Sequence, residues 1–311
     1  MGRARARAKA VGTRPAAPLW PGATAARDAA GRLVLSQGPI ELILDLGGAA
    51  DEIARAEAVA QKAFSGVLEE LVSELSLLRR PIASGGKEPN GPVARRMARA
   101  VAPHANWYIT PMAAVAGAVA DHILEAISGR CALERIAINN GGDIALRLVG
   151  DARYRIGISD YRQTARFAGI VSIGARDGIG GIATSGCHGR SHSLGIADAV
   201  TVLARCAADA DAAATLIANA VDLPDSPKIR RRPARELSPD SDLGNRLVTV
   251  DVAALDPDET ERALDAGVRR AGQIVATGAA RAAFLSLQGS IRTVGAGDAL
   301  GSATAGREEE N

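Results

Sequence analysis

Residues 181–215 combine the side chains and the spacing that a site for a phosphorylated or metal-bound ligand needs. Two strand-like apolar runs flank a loop of glycines, hydroxyls and two imidazoles, and a helix of small residues follows. Apolar runs can form a core without such a loop, whereas binding and catalytic groups concentrate on loops that a rigid scaffold positions. We therefore expect the functional site in this segment.

The helix in this segment carries a pair of oxygen-bearing side chains that suits a magnesium ion. Asp211 and Thr215 are four residues apart, which places the carboxylate and the hydroxyl on one face of a helix. Mg²⁺ prefers such hard oxygen ligands, and backbone carbonyls, water and ligand phosphate can complete its coordination. The same pattern is also typical of an acidic first turn that complements the helix dipole.

A second candidate is the run Asn-Asn-Gly-Gly-Asp at residues 139–143, between two predicted strands. Its glycines permit positive φ angles and expose backbone N–H groups, while Asp143 projects from the start of the next strand. Taken alone, the run is explained at least as well by an ordinary hairpin turn. The Thr-Ser-Gly sequence at residues 184–186, at another predicted strand end, favours a ligand site.

Hydrophobic periodicity predicts the elements that position these segments. Alternation over 40–46 predicts a strand, and apolar residues at three-to-four spacing predict a long amphipathic helix over 51–79. Another helix is predicted to begin at Thr110-Pro111, as N-cap and first turn, and to end at Gly129. Its first half has almost no side-chain bulk, so we expect it to form either a ligand wall or a homodimer interface.

The remaining pattern predicts an α+β fold with mixed, largely antiparallel sheets, because several strands are joined by short turns. Strands are expected at 133–138, 144–149, 153–158, 167–174, 196–204, 246–252 and 279–287, and helices at 208–221 and 258–276. Residues 31–288 are expected to form one domain. Residues 1–30 and 289–311 are expected to be disordered tails, and the proline-rich, highly charged stretch 224–245 a flexible loop. Its basic tract 230–232 is expected to be solvated, with a phosphate-binding arm as the alternative.

Composition excludes several classes of protein. A formal net charge of +2 over 311 residues gives no indication of nucleic-acid binding. Cys131, Cys187 and Cys206 are odd in number and lack metal-type spacing, which suits a reducing compartment. No apolar run has the roughly 20 residues of a membrane span, and the arginine-rich start lacks the apolar region of a secretory signal. A cytoplasmic protein without membrane partners is expected.

The order of the motifs resembles the ApbE family, the Mg²⁺-dependent FAD:protein FMN transferases once linked to thiamine biosynthesis. The order is G-x-V-A-D, N-N-G-G-D-I, T-S-G, a histidine-containing loop with A-D-A-V-T-V, and A-D-A-x-A-T. The sequences P-M-A-A-V-A-G-A and H-S-x-G-x-A-D-A-V are more similar to an uncharacterised (UPF-type) branch of ApbE-like proteins. This resemblance covers roughly 36–287 and implies an ApbE-like, T-fold-like architecture.

The resemblance implies a set of site residues and ligands. It implies that Asp211 and Thr215 hold Mg²⁺ and that FAD, or a related flavin or pterin nucleotide, is the small-molecule ligand. The residues that it implies for nucleotide binding lie in four motif segments: Gly117 and Asp121; Asn139, Asn140, Gly141, Gly142 and Asp143; Thr184, Ser185 and Gly186; and Asp198. A protein acceptor for FMN is also implied.

The chain departs from the transferase pattern in two places. Ala116 stands where the transferases have lysine, and Met112 and Ala113 stand where they have paired glycines. A short S-H-S-L-G-I sequence replaces the longer H-H-I-x-D-P-x-T-G loop, which makes His192 the nearest imidazole.

Three hypotheses about function remain open at this point. The first is an Mg²⁺-dependent enzyme that transfers FMN or cleaves the FAD pyrophosphate, with His192 and Asp143 as catalytic residues. The second is a protein that binds a flavin or pterin nucleotide without turnover. The third is a hydrolase that uses Ser185 with His188 or His192 and Asp143, although the sequence lacks a G-x-S-x-G elbow.

Overall fold

The computed structural model describes residues 22–82, 87–159 and 167–295. Within these residues nine strands form one sheet, in the order β1-β2-β3-β4-β5-β8-β9-β12-β13, and every neighbouring pair is antiparallel. The strands are β1 Thr24–Arg27, β2 Leu33–Gln37, β3 Ile40–Gly47, β4 Arg135–Asn140, β5 Asp143–Leu148, β6 Arg153–Ser159, β7 Phe167–Gly174, β8 Gly181–Ser185, β9 Ala199–Ala204, β10 Ile229–Pro233, β11 Leu247–Val252, β12 Ala282–Leu287 and β13 Ser290–Val294. Strands β6 and β7 form a separate ribbon, as do β10 and β11.

Helices pack on one face of the nine-stranded sheet, and the β6–β7 ribbon covers part of the other. The helices are α1 Ala50–Phe64, α2 Val67–Ser73, α3 Leu75–Leu78, α4 Pro92–Val101, α5 Val115–Ser128, α6 Ala207–Ala220, α7 Ala234–Leu237 and α8 Pro257–Ala276. Strand alternation separates the two cores: Ile136 and Ile138 belong to the helical core, whereas Ala137 packs with Val171 and Ile173 of the ribbon. The predicted α+β class with antiparallel sheets is confirmed.

The alanine-rich helices α5 and α6 lie at the centre of the helical core and pack against each other. Gly117 of α5 permits this contact, because a Cβ at that position would lie only 2.3 Å from the backbone oxygen of Ala207. The helix expected to form a ligand wall or a dimer interface therefore buries much of its small-residue surface within the chain, with Ala118, Val119 and Ala120 all inaccessible.

The structure corrects the predicted boundaries of two helices. The helix expected over 51–79 is divided into α1, α2 and α3, and the first break comes at Gly66, whose φ of +88° is incompatible with a continuing α-helix. The helix expected from Thr110 begins instead with a 3₁₀ turn at Pro111–Ala114. The Thr110 hydroxyl does not cap this turn, since it donates to Asp242 Oδ2 at 2.5 Å.

Three segments expected to lack regular structure contain strands or helices. Strand β1 lies within 1–30, strand β13 lies within 289–311, and both β10 and α7 lie within 224–245. Arg231, in the tract expected to be solvated, is half-buried, donates to the Leu194 carbonyl at 2.6 Å and pairs with Asp222. The rest of the two predicted tails, 1–21 and 296–311, lies outside the described residues.

Candidate functional site

The predicted site segments meet along one edge of the nine-stranded sheet. Antiparallel pairing brings the start of β5 beside the end of β8, the end of β8 beside the start of β9, and the start of β9 beside the end of β12. Asp143, Ser185 and Asp198 are therefore close to the same edge, although they are far apart in sequence. Adjacent strands are about 4.8 Å apart, so the row from β5 to β9 is about 10 Å wide.

The turn between β4 and β5 is both a hairpin and a structural support for the site. Gly141 and Gly142 have φ angles of +64° and +113°, which explains the need for glycine here. Asn139 Oδ1 accepts a hydrogen bond from the Gly142 N–H at 2.8 Å, which closes the turn. Asn140 Nδ2 donates to the Ala116 carbonyl at 3.0 Å, which ties the turn to helix α5.

Asp143 is a buried acid directly after this turn. Its side chain is 9% exposed, and its Oδ1 accepts a hydrogen bond from the Thr184 N–H at 3.2 Å. Burial raises the pKa of Asp143 to about 7, against the opposing effect of the Thr184 N–H. The hydroxyls of Thr184 and Thr201 lie 2.8 Å apart on the adjacent strands. The Thr184 N–H therefore joins the Asn-Gly-Gly-Asp segment to the Thr-Ser-Gly segment.

Asp211 on α6 forms an acid pair with Asp143. Its Oδ2 accepts a hydrogen bond from the Gly117 N–H at 3.1 Å. Burial raises the pKa of Asp211 well above its ordinary value, and repulsion by the Asp143 carboxylate adds to this rise. Thr215 lies on the same helix four residues later and is half-buried. Two carboxyl groups that resist joint ionisation, with a hydroxyl nearby, fit a site for a hard divalent cation.

Asp121 has a different environment from the one expected of a nucleotide contact. It is 5% exposed, and its two carboxylate oxygens accept hydrogen bonds from the N–H groups of Ala207 and Ala208 at 3.0 and 2.9 Å. These N–H groups belong to the first turn of α6, where a helix lacks internal acceptors. The contacts account for this buried carboxylate without a ligand, and they make Asp121 the cap that α6 receives from α5.

The loop after β8 contains a second group of chemically active side chains. His188 Nε2 lies 3.2 Å from Asp198 Oδ1, and Asp198 Oδ2 accepts from the Gln288 N–H at 2.5 Å. The potential metal-ligand atoms of Cys187, His188 and Asp198 all lie within 4.8 Å of one another, so these three side chains could coordinate a metal ion. Burial, together with the Asp198 charge, raises the pKa of the Cys187 thiol to about 11, so it is protonated at neutral pH.

The structure distinguishes the two imidazoles of this loop. Both imidazoles are exposed, but His188 is paired with the buried carboxylate of Asp198, whereas the described residues give no such partner to His192, the predicted catalytic base. Ser185 is half-buried at the end of β8. In the part of the chain that the structure describes, no hydrogen bond joins Ser185 to an imidazole, and Asp143 bonds to the Thr184 backbone. The serine hydrolase arrangement is therefore not assembled among these residues.

Sequence reasoning did not identify three residues of this edge: Thr201, Gln288 and Arg190. Thr201 is a polar residue inside an otherwise apolar strand, a signal that could have been used. Gln288 and Gly289 both have positive φ in the β12–β13 turn, and the Gln288 side chain bonds to the backbone of residues 253 and 255. The Arg190 guanidinium lies beside Gly141.

The chain is similar to archaeal proteins named UPF0280. It is 38% identical over 127 residues to that of Methanopyrus kandleri, a match covering 41% of this chain and 48% of the relative. It is 39% identical over 117 residues to that of Methanocaldococcus jannaschii, covering 36% and 45%. The chain thus spans about half the length of these relatives. With the protein of Methanosphaerula palustris it shares 38% identity over 171 residues, covering 52% and 68%.

Two solved structures are also similar. The ApbE protein of Thermotoga maritima gives a TM-score of 0.40 at 13% identity, covering 87% of this chain and 96% of that protein. The apo flavinyl transferase ApbE of Pseudomonas stutzeri gives 0.41 at 12% identity, covering 88% and 94%.

None of the helices in the described residues is both long and apolar enough to cross a bilayer.

The breadth of the family match decides the assignment. A family model described as AbpE bacteria matches residues 23–293, which includes every helix and strand named above except the last residue of β13. The chain therefore belongs to the AbpE bacteria family, an ApbE-like family.

Proposed function

We propose that the protein is an Mg²⁺-dependent enzyme that binds a flavin or pterin-like nucleotide, with FAD as the first candidate, and acts on its pyrophosphate. The observation that carries this proposal is the acid pair Asp143 and Asp211 beside the Gly141-Gly142 turn. Membership of an ApbE-like family and the motif order that resembles the transferases support the choice of ligand.

In this proposal Asp211 and Thr215 hold the cation, with Asp143 close to it. A bound Mg²⁺ would neutralise pyrophosphate charge and allow both carboxyl groups to ionise at neutral pH. The protein's own contribution is to hold the acids in place: the Gly117 N–H fixes Asp211, and the Thr184 N–H fixes Asp143. The Asn139–Gly142 and Asn140–Ala116 hydrogen bonds hold the turn in a shape that a phosphate can approach.

The reaction follows from the chemistry of the pyrophosphate. An oxygen of water, or of a hydroxyl on a protein acceptor, bonds to the phosphorus on the FMN side while the bond to the AMP oxygen breaks. The products are FMN, or an FMN-modified acceptor, and AMP. The attacking oxygen loses a proton in this step, and we assign its removal to the loop that carries His188 and His192, since histidine is the most common general base in enzymes.

The test is a titration with FAD, with Mg²⁺ and with EDTA, followed by chromatography of the incubated mixture for FMN and AMP. We expect wild-type protein to bind FAD tightly only with the cation, and Asp211→Asn to lose both the tight binding and the cation requirement. Equal FAD affinity with and without EDTA would overturn the metal assignment.

Detection of FMN and AMP by chromatography distinguishes the enzyme hypothesis from its main alternative, a protein that only binds the nucleotide. Binding that requires Mg²⁺ but leaves FAD intact, with water and with candidate acceptor peptides, would favour the binding protein. The alanine at position 116, where the resembled transferases have lysine, is the observation that keeps this alternative in the test.

A further inference from the structure

Arg190 lies over the glycine turn of the candidate site. A methyl group placed on Gly141 would lie 3.6 Å from the guanidinium carbon and from Nη1, and 3.7 Å from Nη2. All three atoms are thus at nearly the same distance, so the guanidinium faces the bare side of the glycine. Residues 141 and 190 are far apart in sequence, and the pairing of β5 with β8 brings them together.

The charges around Arg190 suit the binding of an anion. The side chain is exposed, and within 22–82, 87–159 and 167–295 no carboxylate lies within the 4.0 Å of an ion pair. Asp143 follows immediately after the turn that Arg190 covers, and Asp211 on α6 completes the acid pair. A cation on one side of the turn and an acid pair on the other would hold a negatively charged ligand between the guanidinium and a metal ion.

We propose that Arg190 and the turn at residues 139–142 form an anion subsite that binds the phosphate or pyrophosphate of the ligand. This inference rests on the proposed function and extends it, since it assigns the group that recognises the phosphate. Guanidinium suits this task because its rigid planar fork can donate two parallel hydrogen bonds to two phosphate oxygens, a geometry that the lysine ammonium does not offer. Arg190 is a binding residue in this proposal and takes no part in proton transfer.

The experiment compares Arg190→Gln and Arg190→Lys with a matched control, Arg176→Gln. Arg176 is also exposed, but it precedes β8 and so lies at the opposite end of that strand. The affinities of each protein for FAD, FMN, riboflavin and inorganic pyrophosphate are measured in the presence of Mg²⁺. We expect Arg190→Gln to weaken FAD, FMN and pyrophosphate by about tenfold or more, the range for losing a charge-assisted hydrogen bond. Riboflavin, which has no phosphate, should bind as it does to wild type.

The controls give every outcome a meaning. Arg190→Lys should fall between wild type and Arg190→Gln, and Arg176→Gln should match wild type for all four ligands. If wild type binds no flavin but binds pyrophosphate in an Arg190-dependent way, the subsite stands and the flavin function fails. If Arg190→Gln binds FAD and pyrophosphate as wild type does, or if wild type binds neither, the subsite is overturned.

Discussion

The N–H of Gly117 donates a hydrogen bond to the Asp211 carboxylate at 3.1 Å, which connects the start of helix α5 to the candidate metal ligand on α6. Four residues later, Asp121 caps the first turn of α6 through Ala207 and Ala208. The two contacts run in opposite directions between the same two helices. The position of the candidate metal ligand is therefore determined by how closely α5 and α6 approach.

The first prediction is that Gly117→Ala destabilises the protein by about 1–3 kcal/mol, the usual cost of overpacking a core. The added Cβ would lie 2.3 Å from the Ala207 oxygen, so the helices must separate and weaken both contacts described above. Denaturant unfolding measures the change. Gly129→Ala, at the other end of α5, is the control, since its Cβ would meet only the Glu125 oxygen at 3.5 Å. Equal stability of the two variants would contradict the packing argument.

Local patterns predict much of the fold. Residues 40–46 alternate as expected, with Ile40, Leu42 and Leu44 buried. Helix α4 is harder to predict, because two arginines, Arg95 and Arg96, lie between its buried residues Val93 and Met97. The break after α1 depends on the left-handed conformation of Gly66, which periodicity does not reveal.

The site is less predictable than the fold, because its contacts join residues that are distant in sequence. The motif segments were recognised, and strand pairing brings them to one edge. The capping role of Asp121 depends on the crossing of α5 and α6. The position of Arg190 beside Gly141 depends on β8 pairing with β5 while the β6–β7 ribbon between them leaves the sheet. Neither relationship has a signature in local spacing.

The second prediction concerns the hydroxyl of Thr215. Thr215→Val removes the oxygen and keeps the shape, so we expect the Mg²⁺ concentration needed for half-maximal FAD binding to rise about tenfold or more. Thr215→Ser keeps an oxygen and should remain within a few-fold of wild type. Magnesium titrations at fixed FAD measure both. If Val and Ser variants respond alike to the cation, Thr215 only packs against its neighbours.

The third prediction is a pH dependence of stability that Mg²⁺ removes. The pKa of Asp143 is raised from 3.8 to about 7 in the folded state, so the folded protein retains a proton that the unfolded chain releases. Its contribution to stability is therefore complete below about pH 4 and is lost as the pH rises through about 7. We expect metal-free protein to lose on the order of 1–3 kcal/mol across this range.

Asp143→Asn tests this pH dependence, because the amide oxygen can still accept from the Thr184 N–H but does not ionise. Its metal-free stability should be less dependent on pH than that of wild type between pH 4 and 7. Added Mg²⁺ at pH 7.5 should raise the melting temperature of wild type more than that of the variant. Parallel pH profiles for the two proteins would show that Asp143 does not titrate in this range.

The last prediction separates the two imidazoles of the loop after β8. A base that removes a proton near neutral pH works best when a carboxylate orients it, and His188 has such a partner in Asp198, 3.2 Å away. We therefore expect His188→Ala to reduce the conversion of FAD to FMN and AMP more than His192→Ala, with FAD affinity within a few-fold of wild type for both. Product chromatography and binding titrations are run in parallel. Asp198 also accepts a hydrogen bond from the Gln288 N–H, so Asp198→Asn could change stability as well as catalysis. A melting curve is therefore measured beside the assay for this variant. If His192→Ala alone abolishes turnover, His192 is the base, as the sequence predicted, and the His188–Asp198 pair serves to shape the loop.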